Sequence, residues 1–217
     1  MNYKINNNIN IKSHNAAKSI KQTNKFLLNY ITHLPSNYTV LDYGCGKLRY
    51  TLPLCDTVET VFAIDSSEQL ARIQNIDGVK TTVLSFEDKY PNLKIYELSK
   101  NEWMNRHYDF ILCSNVLSAI PYRKERVKVL KNIRNVLKPN GTALITVQYR
   151  NSYFSDYENR STAIPYYDGW IINNKGNYSF YGLVIPEKLK KLCSEAKLII
   201  ENTQLKDGSC YIFVKRG

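Results

Sequence analysis

The chain has 217 residues and no acid before Asp42, while Lys4, Lys12, Lys18, Lys21 and Lys25 all fall in that stretch. No apolar run approaches the roughly 20 residues that span a bilayer, which argues against a membrane protein. Met1 to Lys12 is rich in Asn and lacks the apolar core of a secretory signal, so the expected location is cytoplasmic. The five cysteines (Cys45, Cys55, Cys113, Cys193, Cys210) are an odd number, widely spaced and without C-x-x-C. They read as reduced thiols, with no disulfide framework. His14, His33 and His107 are too scattered for a metal cluster, so no metal site is expected. The length suits one domain with a single substantial core, and a monomer is assumed.

Val40-Leu41-Asp42-Tyr43-Gly44-Cys45-Gly46 is the most informative stretch present. A strand over Tyr38 to Leu41 runs into an acid and two glycines. Without a Cβ, such a turn can tighten and lie against a bound cofactor. A second apolar run, Val61 to Ile64, ends in Asp65 and Ser66. A carboxylate at that strand tip is placed to accept hydrogen bonds from ribose hydroxyls. Two absences narrow the nucleoside. The dinucleotide pattern G-x-G-x-x-G needs a third glycine, and Arg49 stands there; the phosphate loop G-x-x-x-x-G-K-[ST] is missing altogether.

At these residues the chain resembles the class I S-adenosylmethionine-dependent methyltransferases. Their first motif is an apolar strand, an acid and G-x-G, followed by a ribose-binding acid after the second strand. Asp109 to Leu117 is similar to the family's fourth strand and the loop over the cofactor. Leu137-Lys138-Pro139-Asn140-Gly141, followed by Ala143 to Val147, is similar to its L-K-P-x-G turn and fifth strand. The matching blocks run in order from about residue 38 to 148. The resemblance implies a three-layer, Rossmann-like α/β fold, with a seven-stranded, mostly parallel sheet ending in an antiparallel C-terminal hairpin. It implies S-adenosyl-L-methionine as cofactor, held by Asp42, Gly44, Cys45, Gly46, Asp65, Ser66, Ser99, Ser114 and Asn115. Two positions depart from the family. Leu48 stands where many members have a further glycine. Ser99-Lys100 stands where an acid usually meets the adenine amino group. Lys47 and Arg49 read either as partners for the methionine carboxylate or as solvated residues at a helix start.

The formal net charge is +11, and Arg123 to Lys138 carries seven basic residues and one acid. Such a balance suits a polyanionic partner, or only an Asn- and Lys-rich composition. Val127, Leu130, Ile133 and Leu137 follow helical spacing, which makes the basic residues first of all the wet face of an amphipathic helix.

Residues 1 to 13 read as a mobile arm and Asn15 to about His33 as a helix stopped before Pro35. Helices follow over Tyr50 to Asp56 and Ser67 to Ile73. Lys80 to Phe86 fits strand or helix, and Leu93 to Leu98 is the third strand. Pro121 opens the basic helix. Pro186 to Cys193 reads as the last helix. Lys197 to Leu205 and Cys210 to Lys215 form a hairpin about Lys206-Asp207-Gly208. The organisation is one methyltransferase domain over 1–217, with an arm and helix over 1–34 and an insertion over 148–183. That insertion holds Tyr149, Tyr153, Phe154, Tyr157, Tyr166, Tyr167, Trp170, Tyr178, Phe180 and Tyr181. It reads as a substrate lid with rings for stacking, or as rings over a satellite core.

No convincing general base is present; His107 precedes the fourth strand, at the far edge of the sheet. Asn115, Tyr122, Tyr149 and Arg150 are the candidate acceptor contacts. Ser114-Asn115-Val116-Leu117 replaces the [DNS]-P-P-[YFW] box of amino-methylating DNA enzymes, which favours a small-molecule acceptor. The alternatives are an RNA- or DNA-directed methyltransferase using the basic surface, and a non-catalytic cofactor-binding module.

Overall fold

The computed structural model describes residues 2–5, 9–18, 20–150 and 152–217, with the side chains of 152–154 outside the description. The first elements are β1 (Asn2–Ile5), β2 (Ile9–Lys12), α1 (Lys25–Ile31), β3 (Thr39–Tyr43), α2 (Thr51–Cys55), β4 (Thr60–Asp65) and α3 (Ser67–Ala71). Next come β5 (Gln74–Ile76), β6 (Val79–Thr81), β7 (Leu93–Glu97), β8 (Tyr108–Ser114), α4 (Arg123–Val136) and β9 (Leu137–Gln148). The last are α5 (Ser152–Glu158), β10 (Ala163–Tyr166), β11 (Gly169–Asn174), β12 (Asn177–Gly182), α6 (Pro186–Glu195), β13 (Leu198–Lys206) and β14 (Ser209–Arg216).

Seven strands form the main sheet in the order β13-β14-β9-β8-β3-β4-β7. The last strand therefore lies between β9 and β13, giving the antiparallel hairpin end expected from the sequence. The sheet is the Rossmann-like α/β arrangement of methyltransferases. By contacts the chain divides into two compact units, one of Ala17–Leu112 and Val136–Gly141, the other of Met1–Ala16, Cys113–Asn135 and Thr142–Gly217.

In the first unit β3 pairs in parallel with β4 on one side and β8 on the other, and β7 pairs with β4. Val40, Leu41, Val61, Ala63, Ile64 and Ile111 are fully buried, as central parallel strands covered on both faces require. The order reverses at β3, the place where open α/β sheets form their ligand crevice. Side-chain caps start the helices: Leu27 N–H donates to Asn24 Oδ1 at 3.0 Å, and Gln69 N–H to the Ser66 hydroxyl at 3.4 Å.

In the second unit β14 pairs antiparallel with β9 and β13. The β13–β14 turn places Asp207 (φ 50°) and Gly208 (φ 70°) in the left-handed region, the tight hairpin geometry that Asp-Gly favours. Pro186 opens α6, where a missing N–H costs nothing. A further five-stranded sheet runs β1-β2-β12-β11-β10.

Several elements differ from the sequence reading. Residues 2–5 and 9–12 form a hairpin rather than an arm, because Tyr3, Ile5 and Ile11 are all buried. The helix expected from Asn15 to His33 is confined to α1, preceded by 3₁₀ turns at Ser13–Ala16 and Ile20–Gln22. The L-K-P-x-G segment is not a separate turn: β9 starts at Leu137, directly after α4. The 148–183 segment is α5 with three antiparallel strands. Among the described residues no helix is long and apolar enough to cross a membrane.

Gly169 faces Gly182 across β11 and β12, and a Cβ on Gly169 would stand 2.0 Å from the Tyr181 carbonyl oxygen. Gly169→Ala is expected to cost about 1–3 kcal/mol and lower the melting temperature by several degrees. Gly176→Ala, with open space around its Cβ but φ +81°, should cost less, about 1 kcal/mol from backbone strain alone. Thermal denaturation of the two variants checks this; equal losses would deny the close approach of the strands.

Candidate functional site

The first unit builds a clamped turn at the carboxyl end of β3. Gly44 N–H and Cys45 N–H both donate to the Ile64 carbonyl, at 2.8 and 3.1 Å. Gly46 N–H donates to Asp65 Oδ2 at 2.9 Å and Ser66 N–H to Asp65 Oδ1 at 2.7 Å. One carboxylate at the tip of β4 thus holds the turn after β3 and the start of α3. From below, the buried Gln69 amide donates to the Gly46 carbonyl and to Gln74 Oε1. Gln69 Oε1 is buried with no partner among the described residues, an acceptor left open at the turn.

Gly44, Gly46 and Leu48 take φ of 79°, 58° and 60°. The third left-handed position is the one where the family pattern carries glycine, and here a fully buried leucine occupies it. The backbone course survives the departure, at a cost of about 1 kcal/mol for a non-glycine residue there. Leu48 is fixed from both sides, its N–H on the Cys45 carbonyl and its own carbonyl accepting from Leu52 N–H.

Asp42 is buried beneath the turn and accepts from the Thr51 hydroxyl at 2.6 Å. Burial pushes its pKa up to about 6, against the opposing pull of the Thr51 hydrogen bond and the Arg49 cation. Burial also raises Asp65, opposed by the Gly46 and Ser66 amides. The Cys45 thiol is held well above its usual range by burial and by both carboxylates. Arg49 is neither solvated nor free. It is buried, donates to the Gln22 carbonyl at 3.1 Å and lies 4.5 Å over the Tyr50 ring. Lys18 is pulled down to about 8 by burial and by Arg49, which places two cations close together in this unit. Lys47 is half-buried, and burial and Arg72 lower it.

Ser99 stands in a 3₁₀ turn just past β7 and donates to Glu97 Oε1 at 2.8 Å. Glu97 ends β7 in register with Asp65 at the end of β4. The carboxylate at this strand end is thus that of Glu97, two residues before Ser99. The sequence signal was the end of the strand, at Glu97 rather than Leu98.

In the second unit Ser114 and Asn115 close β8. Asn115 takes φ 61° and its N–H donates to the Thr146 carbonyl at 2.9 Å; the Ser114 and Thr146 hydroxyls are 3.1 Å apart. A non-glycine residue held left-handed at a strand tip is the kind of strain that gathers at functional sites. Tyr122 lines a cavity and donates its hydroxyl to the Lys4 carbonyl. Tyr149 and Arg150 are set apart from it, their N–H groups both on the Gly208 carbonyl of the β13–β14 turn. The side chains of Tyr153 and Phe154 lie outside the described residues. Among the other insertion rings Phe180 is core, Tyr157 packs on Trp170 and Tyr181, and Tyr167 is 81% exposed.

The family model described as a methyltransferase domain matches residues 13–196, and the chain belongs to that family. It is therefore an enzyme of the methyltransferase class. The YmfD protein of Escherichia coli (strain K12) is 38% identical over 215 residues, covering 99% of this chain and 96% of that protein. A solved S-adenosylmethionine-dependent methyltransferase from Methanosarcina mazei is 19% identical, with a TM-score of 0.64 over 89% of this chain and 98% of its own. The 1,6-didemethyltoxoflavin-N1-methyltransferase of Burkholderia thailandensis, solved with 1,6-didemethyltoxoflavin and S-adenosylhomocysteine bound, is 16% identical. Its TM-score is 0.58, covering 88% of this chain and 77% of that one.

The raised Asp42 has a signed consequence for stability. Below pH ~4 the folded and unfolded states both hold the proton; above about 6 both have lost it, and the folded state has then paid to bury the charge. Stability contributed at this site therefore falls as pH rises from 4 to 6. Asp42→Asn keeps an acceptor for Thr51 and removes the charge. The variant's stability relative to wild type is expected to rise by about 1–3 kcal/mol between pH 4 and pH 7. Denaturant titrations at the two pH values check it; a difference independent of pH would refute the buried-charge assignment.

Proposed function

We propose that the protein transfers a methyl group from S-adenosylmethionine to a small-molecule acceptor. The observation that carries this is the turn in which Asp65 holds Gly46 at the tip of β4, with Glu97 in register beside it. The residues present suit the cofactor. Asp65 offers carboxylate oxygens to the ribose hydroxyls, and Glu97, in register at the adjacent strand end, offers one to the adenine amino group. Gly44 and Gly46, both at positive φ, bring backbone without a Cβ to the turn. Lys18 and Arg49 supply the positive charge a methionine carboxylate needs. Bound, the cofactor supplies a sulfonium methyl already activated for displacement.

What the chain itself must add is alignment of the attacking atom, worth up to roughly 7–11 kcal/mol. Asn115, whose N–H donates to the Thr146 carbonyl, and Tyr122, tied to Lys4, are the residues we assign to contact with the acceptor. A base is required only if the attacking atom holds its proton at neutral pH, as an alcohol does. Ser114-Asn115-Val116-Leu117 in place of a proline-rich amine-binding box supports a small acceptor, as does the structural likeness to a methyltransferase solved with a small heterocycle bound.

Calorimetry with S-adenosylmethionine and S-adenosylhomocysteine tests the reading. Wild type is expected to bind both. Asp65→Ala should weaken binding by about 1.5–3 kcal/mol, the range for charge-assisted hydrogen bonds. Gly46→Val should abolish it, since a branched side chain at φ +58° strains the turn and crowds Ala17, whose Cβ lies 3.5 Å from the position of the first added carbon. Absence of heat and of any thermal shift with millimolar cofactor would end the reading in favour of a different ligand. Tight, salt-sensitive binding of generic RNA would favour a nucleic-acid acceptor instead.

A further inference from the structure

The second unit contains a cavity of about 830 Å³, within the range of small-molecule sites. Its walls come from the start of α4, from the turn between β10 and β11, and from α6. Arg123, Lys124, Arg126, Lys188 and Lys191 line it, against one acid, Asp168. Asp168 is already engaged. Arg126, only 3% exposed, donates to both its oxygens at 2.6 and 2.9 Å, and Lys188 stands 3.8 Å away. Arg123 pairs with Glu195. Lys124 and Lys191 have no carboxylate partner among the described residues. Two cations thus remain for a ligand after the internal pairs are formed.

The turn beside them carries a second sign. Tyr166 pairs with Gly169, so Tyr167 and Asp168 form a two-residue hairpin loop. Tyr167 is its first residue and takes φ 48°, a position glycine usually fills. The Arg126–Asp168 pair and the Leu183 N–H on the Asp168 carbonyl pin the loop in place. A tyrosine is thereby held in a strained conformation with its ring in solvent, edge-on to Tyr166 at 4.5 Å. The Tyr166 ring and hydroxyl hold one side of that ring, and a flat ligand stacked on its solvent face would bury the rest. Tyr122, on the connection that leaves β8, offers another ring on the wall.

We propose that this cavity binds a small planar molecule bearing a phosphate or carboxylate, a site carried by the second unit alone. The anionic group meets Lys124 and Lys191, and the ring lies against Tyr167.

The probe is 4-nitrophenyl phosphate, titrated calorimetrically into the full-length protein with and without saturating S-adenosylhomocysteine, beside 4-nitrophenol and inorganic phosphate. Binding with a Kd below ~1 mM, weakened by added salt and tighter than either fragment, is expected. Lys124→Gln combined with Lys191→Gln, both at exposed positions, should weaken it at least tenfold. Tyr167→Gly should weaken it several-fold while leaving the melting temperature equal or higher, because the loop strain is relieved. Asp65→Ala should lose S-adenosylhomocysteine yet keep the aryl phosphate, so failure of the cofactor reading and of this one are separable. No binding by wild type, equal binding of 4-nitrophenol, or indifference to the lysine pair would overturn the proposal. Tighter binding of a single-stranded oligonucleotide, lost in the same lysine variant, would overturn it in favour of nucleic acid.

Discussion

The half-buried carboxylate of Asp65 is the constraint on which the site depends. A charge at that depth needs hydrogen-bond donors, and the donors available are the amides of Gly46 and Ser66. Meeting that need takes the chain after β3 through left-handed φ at Gly44, Gly46 and Leu48, and fixes the start of α3 beside it. Asp42 repeats the logic one strand over, with the Thr51 hydroxyl drawing the start of α2 inward. Two acids at neighbouring strand ends thus set the course of the loop and the placement of two helices. Gln69 and Gln74 complete the arrangement from beneath as a buried amide pair.

Much of this was legible because the residues involved are chemically unusual for their places. An acid ending an apolar strand is expensive, so Asp42 and Asp65 announce themselves, and glycines beside them announce a turn. Leu48 was not legible as part of that turn. Leucine is not a residue that favours positive φ, and only the fixed neighbours on both sides impose it. Glu97 was hidden by the boundary of a strand: Leu98 continues the apolar pattern, while the ladder stops one residue earlier.

The second unit was less legible, for a different reason. Tyr3, Ile5 and Ile11 alternate as a strand should, but a short run among asparagines carries little signal, and its partner, β12, lies near the other end of the chain. Arg126 belongs by sequence to the wet face of an amphipathic helix. Only the fold reveals that Asp168 reaches it and that it is buried. Sequence periodicity reports which residues share a helix face, not which distant carboxylate will meet them.

The join between β2 and β12 also bears on how the protein is made. Ile11 and Tyr178 pair in a sheet whose strands come from opposite ends of the chain. During synthesis the β1–β2 hairpin emerges well before β12 and waits, with one edge unpaired, until that strand has been translated. Such non-local pairing is slow to form, and an open strand edge is a template for other nascent chains. The run of asparagines and lysines around that hairpin, with no acid to pair them, keeps the waiting edge hydrated and mutually repellent on crowded polysomes.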